Sequence, residues 1–248
     1  NTNVSRLHRP TGDTMTLDQA SWEALRLSLL VATTATLVAL PIALWVAWLL
    51  ARGQFRGKAI LSAIVHLPLV LPPVVTGYLL LIGFGTKGPI GAFLFDVFGI
   101  TLAFRWTGAV LAAVIMGFPL MVRAMRLAIE AVDPKIEQAA ASLGASPTSV
   151  FATITLPLIA PGILAGAVMG FAKAIGEFGA TITFVANIPG QTQTLPSAIY
   201  SFLQIPGGET RAIALVLWAC VIALGAVGLS EWFAQRVARR IRGTEDQT

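Results

Sequence analysis

The chain has 248 residues, of which 56% are hydrophobic and only 12% charged, with a formal net charge of +5 and a mean hydropathy of +0.78. A soluble domain carries about 25% charged residues, so this composition excludes an ordinary soluble enzyme and points to a membrane protein. The excess of Lys and Arg is then a matter of topology, not a nucleic-acid signal, and the single cysteine, Cys220, excludes an intrachain disulfide or a cysteine-based metal cluster.

Residues 1–24 are polar and are expected to lie outside the membrane. No basic segment precedes an early apolar core, so no signal peptide is expected, and Met15 is a candidate start. Thr16 and Gln19 have capping-box spacing, and Trp22 suits a membrane interface. Leu27–Ala51 and Ala59–Thr86 hold no charged residue, and each exceeds the roughly 20 residues that cross a bilayer. Five spans are expected, at about 25–51, 59–83, 106–122, 156–180 and 212–233. Pro41, Pro68, Pro72, Pro73 and Pro119 fall within them. Such prolines break backbone bonds that neighbouring helices must re-satisfy, which suits a pathway better than an anchor.

Basic residues set the orientation. Arg52, Arg56 and Lys58 follow the first span, Arg123, Arg126 and Lys135 the third, and Arg236, Arg239, Arg240 and Arg242 the fifth. With five spans these clusters share one side. The N-terminus is therefore expected outside, and the C-terminus, with a tail at 238–248, in the cytoplasm. No cluster of arginines lies inside a predicted span, so tight binding of a dianion within the membrane is not expected. Between the fourth and fifth spans, Leu195–Leu203 is apolar but too short to cross. A re-entrant or interfacial helix is expected there.

The organising stretch is Asp133–Pro157, DPKIEQAAASLGASPTSVFATITLP. Asp133-Pro134 is a helix start. Ile136, Ala139, Ala140 and Leu143 recur at helical spacing opposite Lys135, Glu137, Gln138 and Ser142. Gly144 ends that helix and is expected to take a left-handed conformation, and Ser146-Pro147 can start a second one running towards Leu156-Pro157. A mixed-polarity helix–glycine–helix between membrane spans is suited to dock onto a partner in water.

Other features narrow the chemistry. Gly162, Gly166 and Gly170 repeat at four-residue spacing and predict close helix packing, within the subunit or across a dimer. Lys173 and Glu177 are one helical turn apart near a span end, where charges are costly and point to function or to snorkelling. Gly83–Gly88 lacks the order of a phosphate loop and follows a span, not a strand. His8 and His66 are too few for a metal site, and no catalytic carboxylate pair or Ser-His-Asp set is evident. An enzyme is not expected.

The stretch Gln138-Ala139-Ala140, Gly144, and Ile154-Thr155-Leu156-Pro157 resembles the cytoplasmic EAA loop of ABC-importer permeases, with Gln138 where the pattern has Glu and Glu137 just before it. GEFGAT (176–181), Asn187–Gly190, Thr192, Thr194 and Pro196, His66–Leu81 and Phe118–Asp133 resemble the oxyanion branch of that family, and within it the molybdate permeases. The resemblance covers about residues 16–235. It implies an all-α integral membrane protein of the type I importer fold, five spans plus a coupling helix. It implies a homodimer with two cytoplasmic ATPase subunits and an external oxyanion-binding protein. ATP and Mg would sit on the ATPase, with no cofactor in this chain. Glu137, Gln138, Ala139, Ala140, Leu143, Gly144, Leu156 and Pro157 are expected to couple to the ATPase. Pro72, Pro73, Lys173, Glu177, Phe178, Gly179 and Thr181 are pathway or gate candidates. The expected cargo is molybdate or tungstate, with sulfate or thiosulfate as the alternative. A secondary transporter, which needs a coupling-ion site and often internal repeats, and a non-transporting scaffold rank lower.

Overall fold

The computed structural model describes residues 18–242, which are helical with short connections and contain no strand. Helix α1 spans Gln19–Arg52. Its cap is Asp18, whose side chain accepts from the Ser21 N–H; the expected partner Thr16 lies outside the described residues. Asp18 also pairs with Arg211 at 3.4 Å, which ties the start of α1 to the last long helix.

The second predicted span is broken. Helices α2 (Lys58–Val70) and α3 (Pro73–Phe84) are bent by 114° relative to each other. Leu71 stands between them in extended conformation, as the residue before a proline must, and Pro72-Pro73 supply no N–H to carry the helix across. Helix α4, Pro89–Phe98, was not expected from the sequence. Its signals were Pro89 at the first turn and Gly99 at its C-terminus with φ 66, the usual Pro-in, Gly-out asymmetry.

Helix α5, Trp106–Glu130, continues well past the expected end at Val122. The arginines read as a span boundary, Arg123 and Arg126, are therefore inside the helix, within the stretch Trp106–Ala131 that is long and apolar enough to cross a membrane. Helices α6 (Pro134–Ser142) and α7 (Pro147–Val150) form the hairpin around Gly144. A π-helical turn, Phe151–Thr155, joins α7 to α8 (Leu156–Ile175) without a break. Pro157 cannot donate to the carbonyl four residues back, and the wider turn just before it absorbs that loss, with the Leu156 N–H reaching Phe151 O. The fourth span thus begins inside the docking hairpin and ends at Ile175, short of the expected Ala180.

Helices α9 (Gly179–Phe184), α10 (Leu195–Leu203) and α11 (Glu209–Arg242) complete the fold. α10 occupies the range read as re-entrant or interfacial. The expected tail at 238–248 is helical as far as Arg242; residues 243–248 lie outside the described residues. Among the described residues, α1, α5, Pro147–Ile175 and Glu209–Leu229 are long and apolar enough to span, and α2 with α3 makes a fifth if the bent pair is one span.

The core is made by small residues on α1. Ala32, Ala35, Ala39, Ala43 and Ala47 are buried along one stripe, so α5 and α8 can approach closely. One apolar cluster joins α1 and α5 to Phe184, Leu195 and Leu215. A second, nearer the hairpin, joins α1 and α5 to Ile159 through Leu50, Met121, Met125 and Ile129. Large side chains such as Leu37, Trp45, Ile60 and Leu224 face outward, as a lipid-exposed surface allows.

Candidate functional site

The hairpin is built by local rules. Asp133 accepts from the Lys135 N–H at 2.9 Å and Pro134 takes the first turn of α6. At the other end the Ala145 N–H reaches Ala140 O and the Gly144 N–H reaches Ala141 O, with Gly144 at φ +89. That is a Schellman ending, and it needs a residue without a Cβ penalty in the left-handed region. Ser146 then caps α7 by accepting from the Ser149 N–H at 3.3 Å.

No residue of α6 is buried. Leu143 is 89% exposed and Ile136 is exposed too, so the apolar face of α6 has no partner within the described residues. Glu137 and Gln138 separate cleanly. Glu137 turns inward: its Oε1 accepts from Thr155 Oγ1 at 2.8 Å and its Oε2 lies 3.4 Å from Arg52 Nη2. Gln138 is exposed. Arg52 also donates to Val132 O at 3.0 Å. Glu137 thus ties α6 to the end of α1 and to the π-helical turn, and Arg52 ties the end of α1 to the chain just past α5. Arg52 and Thr155 were not singled out as site residues from the sequence; Arg52 reads there only as a topology signal. Ala139 is exposed, Ala140 half-buried, and Leu156 and Pro157 open α8.

The three glycines of α8 pack within the subunit. A Cβ on Gly162 would collide with the Ala128 side chain; on Gly166 it would stand 3.1 Å from Met121 O, and on Gly170 2.5 Å from Met121 Sδ. Both neighbouring residues, Ala128 and Met121, belong to α5. Gly162→Val should therefore destabilise the fold by about 1–3 kcal/mol, the range of overpacking. Gly83→Ala, where a Cβ meets nothing within 4 Å, should not. Thermal unfolding of the detergent-solubilised protein separates the two. Equal midpoints would remove the close α5–α8 contact.

The gate candidates also come together. A Cβ on Gly179 would stand 2.6 Å from Pro73 Cβ, and one on Gly77 would stand 2.5 Å from Ala180 O. The start of α3 is thus wedged against the start of α9. Thr181 is buried, and Phe178 meets Tyr200 with ring centroids 5.2 Å apart; Pro72 is exposed. Glu177 is 2% exposed. Its Oε2 accepts from Lys173 Nζ at 2.5 Å, and its Oε1 accepts from the Ala180 N–H at 2.9 Å. The carboxylate pairs with the last turn of α8 and caps α9 in one step, so α8 ends at Ile175 and α9 starts four residues on. Among the described residues no group of His, Cys, Asp and Glu could hold a metal ion.

The sequence model of the family described as "Binding-protein-dependent transport system inner membrane component" matches residues 24–243. The chain is 56% identical over 229 residues to the "Molybdenum transport system permease protein ModB" of Escherichia coli (strain K12), covering 92% of this chain and 100% of that one. It is 54% identical over 218 residues to the protein of the same name from Haemophilus influenzae, covering 88% and 95%. Among solved structures, a chain of the bacterial alginate ABC transporter in complex with its alginate-bound periplasmic protein matches with TM-score 0.70 and 18% identity, over 90% of this chain and 80% of that one. A chain of the MetNI methionine ABC transporter matches with TM-score 0.63 and 16% identity, over 88% and 94%. The all-helical fold is that of the type I ABC importer permeases, and this protein belongs to the inner-membrane components of binding-protein-dependent transport systems.

Proposed function

We propose that this chain is the membrane-spanning permease subunit of an ATP-driven molybdate importer, working as a homodimer with two cytoplasmic ATPase subunits and an external binding protein. One observation carries the transport reading. An exposed, unpartnered helix, α6, is anchored by Glu137 to the end of α1 and to the π-helical turn, with Arg52 reaching on to Val132 just past α5, and it runs through α7 into a span. A partner that moves α6 must move those helices as a body, and rigid-body rocking gives alternating access. Ile136 and Leu143 offer that partner an apolar surface, and Gln138 offers a polar contact, while Glu137 is committed inside the subunit. Molybdate as cargo rests on the relatives that are more than half identical over nearly the whole chain. Hydrolysis belongs to the ATPase, which binds ATP and Mg.

Co-purification tests the assembly. The tagged chain should bring down a stoichiometric ATPase, and binding protein loaded with molybdate should stimulate hydrolysis. Tungstate is expected to act similarly and sulfate weakly. A chain that purifies alone, or an ATPase indifferent to loaded binding protein, would overturn the reading; stimulation by sulfate alone would move the cargo.

The same reading fixes orientation. Cysteines at Arg56 and Arg240 should label from the cytoplasm, and one at Lys87 from outside. Gln193, the natural choice for the α9–α10 loop, is buried; Gln191 beside it is exposed and should also label from outside. Arg56 and Lys87 labelling on one side would contradict α2 and α3 together forming a span.

A further inference from the structure

The hairpin end of the molecule holds a second polar site that the gate and docking hairpin do not use. Ser62 and His66 of α2 and Arg123, Arg126, Leu127 and Glu130 of α5 line one cavity of about 330 Å³. Arg126 Nε donates to Glu130 Oε1 at 2.7 Å, which leaves its terminal nitrogens available. Arg123 has no ion-pair partner among the described residues. His66 Nδ1 lies 2.7 Å from Ser62 O. A carbonyl only accepts, so Nδ1 carries the proton, and Nε2 of the neutral ring is an acceptor that takes a hydrogen bond from water and not one from a bare oxyanion.

Topology alone does not require this depth. Arg123 stands seven residues before the end of α5, about 10 Å along it at 1.5 Å per residue. His66 stands eight residues after the start of α2. A snorkelling arginine can reach water from there, the shorter His66 side chain reaches less far, and charged groups within a stretch apolar enough to span point to a ligand or pathway.

We infer that this cavity is a binding site for a tetrahedral oxyanion at the hairpin end of the permease. Arg123 and the free face of Arg126 supply the charge, the Ser62 hydroxyl can donate a further hydrogen bond, and His66 Nε2 reaches the anion only through a bridging water. The volume accommodates a five-heavy-atom anion with several waters, each occupying about 30 Å³. Glu130 neutralises one arginine and repels a dianion, so the site holds its ligand briefly, as a site in a conduit must. Two sources share this chemistry: free molybdate leaving the pathway, and the phosphate of an anionic lipid headgroup. Taking molybdate as the free anion rests on the function proposed above.

The test uses the assembled permease–ATPase complex in lipid nanodiscs. Cys220 is the only cysteine, so Cys220→Ala with Leu127→Cys places one thiol at the cavity wall without removing a polar ligand. Reaction with a small neutral maleimide is timed in discs of phosphatidylcholine, with molybdate or with chloride at matched ionic strength. Molybdate at ten times its dissociation constant should slow labelling on the order of tenfold, and Arg123→Gln should abolish the protection. A second arm replaces phosphatidylcholine by phosphatidylglycerol without molybdate. Slowing there, with no effect of molybdate, assigns the site to lipid phosphate. Arg123→Lys, which keeps the charge, should retain part of the protection and guards against a folding artefact. Labelling indifferent to both anion and lipid overturns the site, as does protection that survives Arg123→Gln. Uptake of molybdate without protection removes this site alone; protection in a complex that does not transport removes the transport reading instead.

Discussion

Gly144→Val should insert and assemble yet lose most molybdate uptake, while ATP hydrolysis continues. Gly144 sits at φ +89, and a Cβ there would meet nothing within 4 Å. The cost is therefore in the backbone and not in a clash: left-handed geometry costs an L-residue about 1–2 kcal/mol, and a β-branched side chain suffers most. The hairpin can relieve that strain only by opening the Schellman turn, which redirects α7 and with it the π-helical turn into α8. Leu143, next to the turn at the end of α6, is the most exposed apolar residue of the hairpin, so the docking face is displaced where it projects furthest. Gly144→Asn should keep most activity, because Asn tolerates the left-handed region. Uptake and hydrolysis are measured in the same proteoliposomes. Normal uptake by the valine variant would remove the hairpin from the coupling path. Equal loss in the asparagine variant would place the requirement in side-chain space at the interface and not in the turn.

The hairpin was legible because its signals are local. Asp133-Pro134, Gly144 and Ser146-Pro147 each fix a cap within a few residues, and the helices form where those caps place them. The same holds for α10, whose apolar run is bounded by Thr194-Leu195-Pro196 and Gln204. What was not legible depends on distant partners. Nothing near Glu137 reveals that it reaches Arg52, far earlier in the chain, and leaves Gln138 to face outward. Arg123 and Arg126 look like a span boundary because charge normally marks one. They stay inside α5 because that helix continues into the connection with α6, and there they share a cavity with His66 from another helix. The glycine repeat of α8 announced close packing but not its partner; Ala128 and Met121 make it an internal contact. The end of α8 was misjudged for a similar reason. Apolar residues continue to Ala180, but the buried Glu177 carboxylate claims the Ala180 N–H and starts a new helix.

That double role makes Lys173 and Glu177 the site of the other large effect. The Glu177 side chain is 1% exposed and the Lys173 side chain 28%, so the two ends of the ion pair are not equivalent. Lys173→Ala leaves a buried carboxylate with only the Ala180 N–H, and breaking a buried pair in this way costs about 3–5 kcal/mol. Glu177→Ala leaves a lysine that can swing towards water, but it strips the α9 cap, worth about 1 kcal/mol. Lys173→Ala should therefore be the worse single change, in both thermal stability and molybdate uptake. Glu177→Gln alone keeps an acceptor for Ala180, yet turns an amide donor towards the Lys173 ammonium, so it should lose a part of both. The informative variant joins Lys173→Ala to Glu177→Gln. It keeps the cap and buries no charge, and it should recover stability over Lys173→Ala by at least half of the single loss. Whether uptake recovers with it decides the role of the charges. If stability returns and uptake returns, the pair is a structural clasp between α8 and α9, next to the wedge of Pro73 on Gly179. If stability returns and uptake does not, a charge of the pair acts on the passing anion itself, because masking of the Glu177 carboxylate by Lys173 would no longer be needed once that carboxylate is an amide. A combined variant no better than Lys173→Ala alone would show that the two residues do not act as a pair, and the cap on α9 would then be the whole contribution of Glu177.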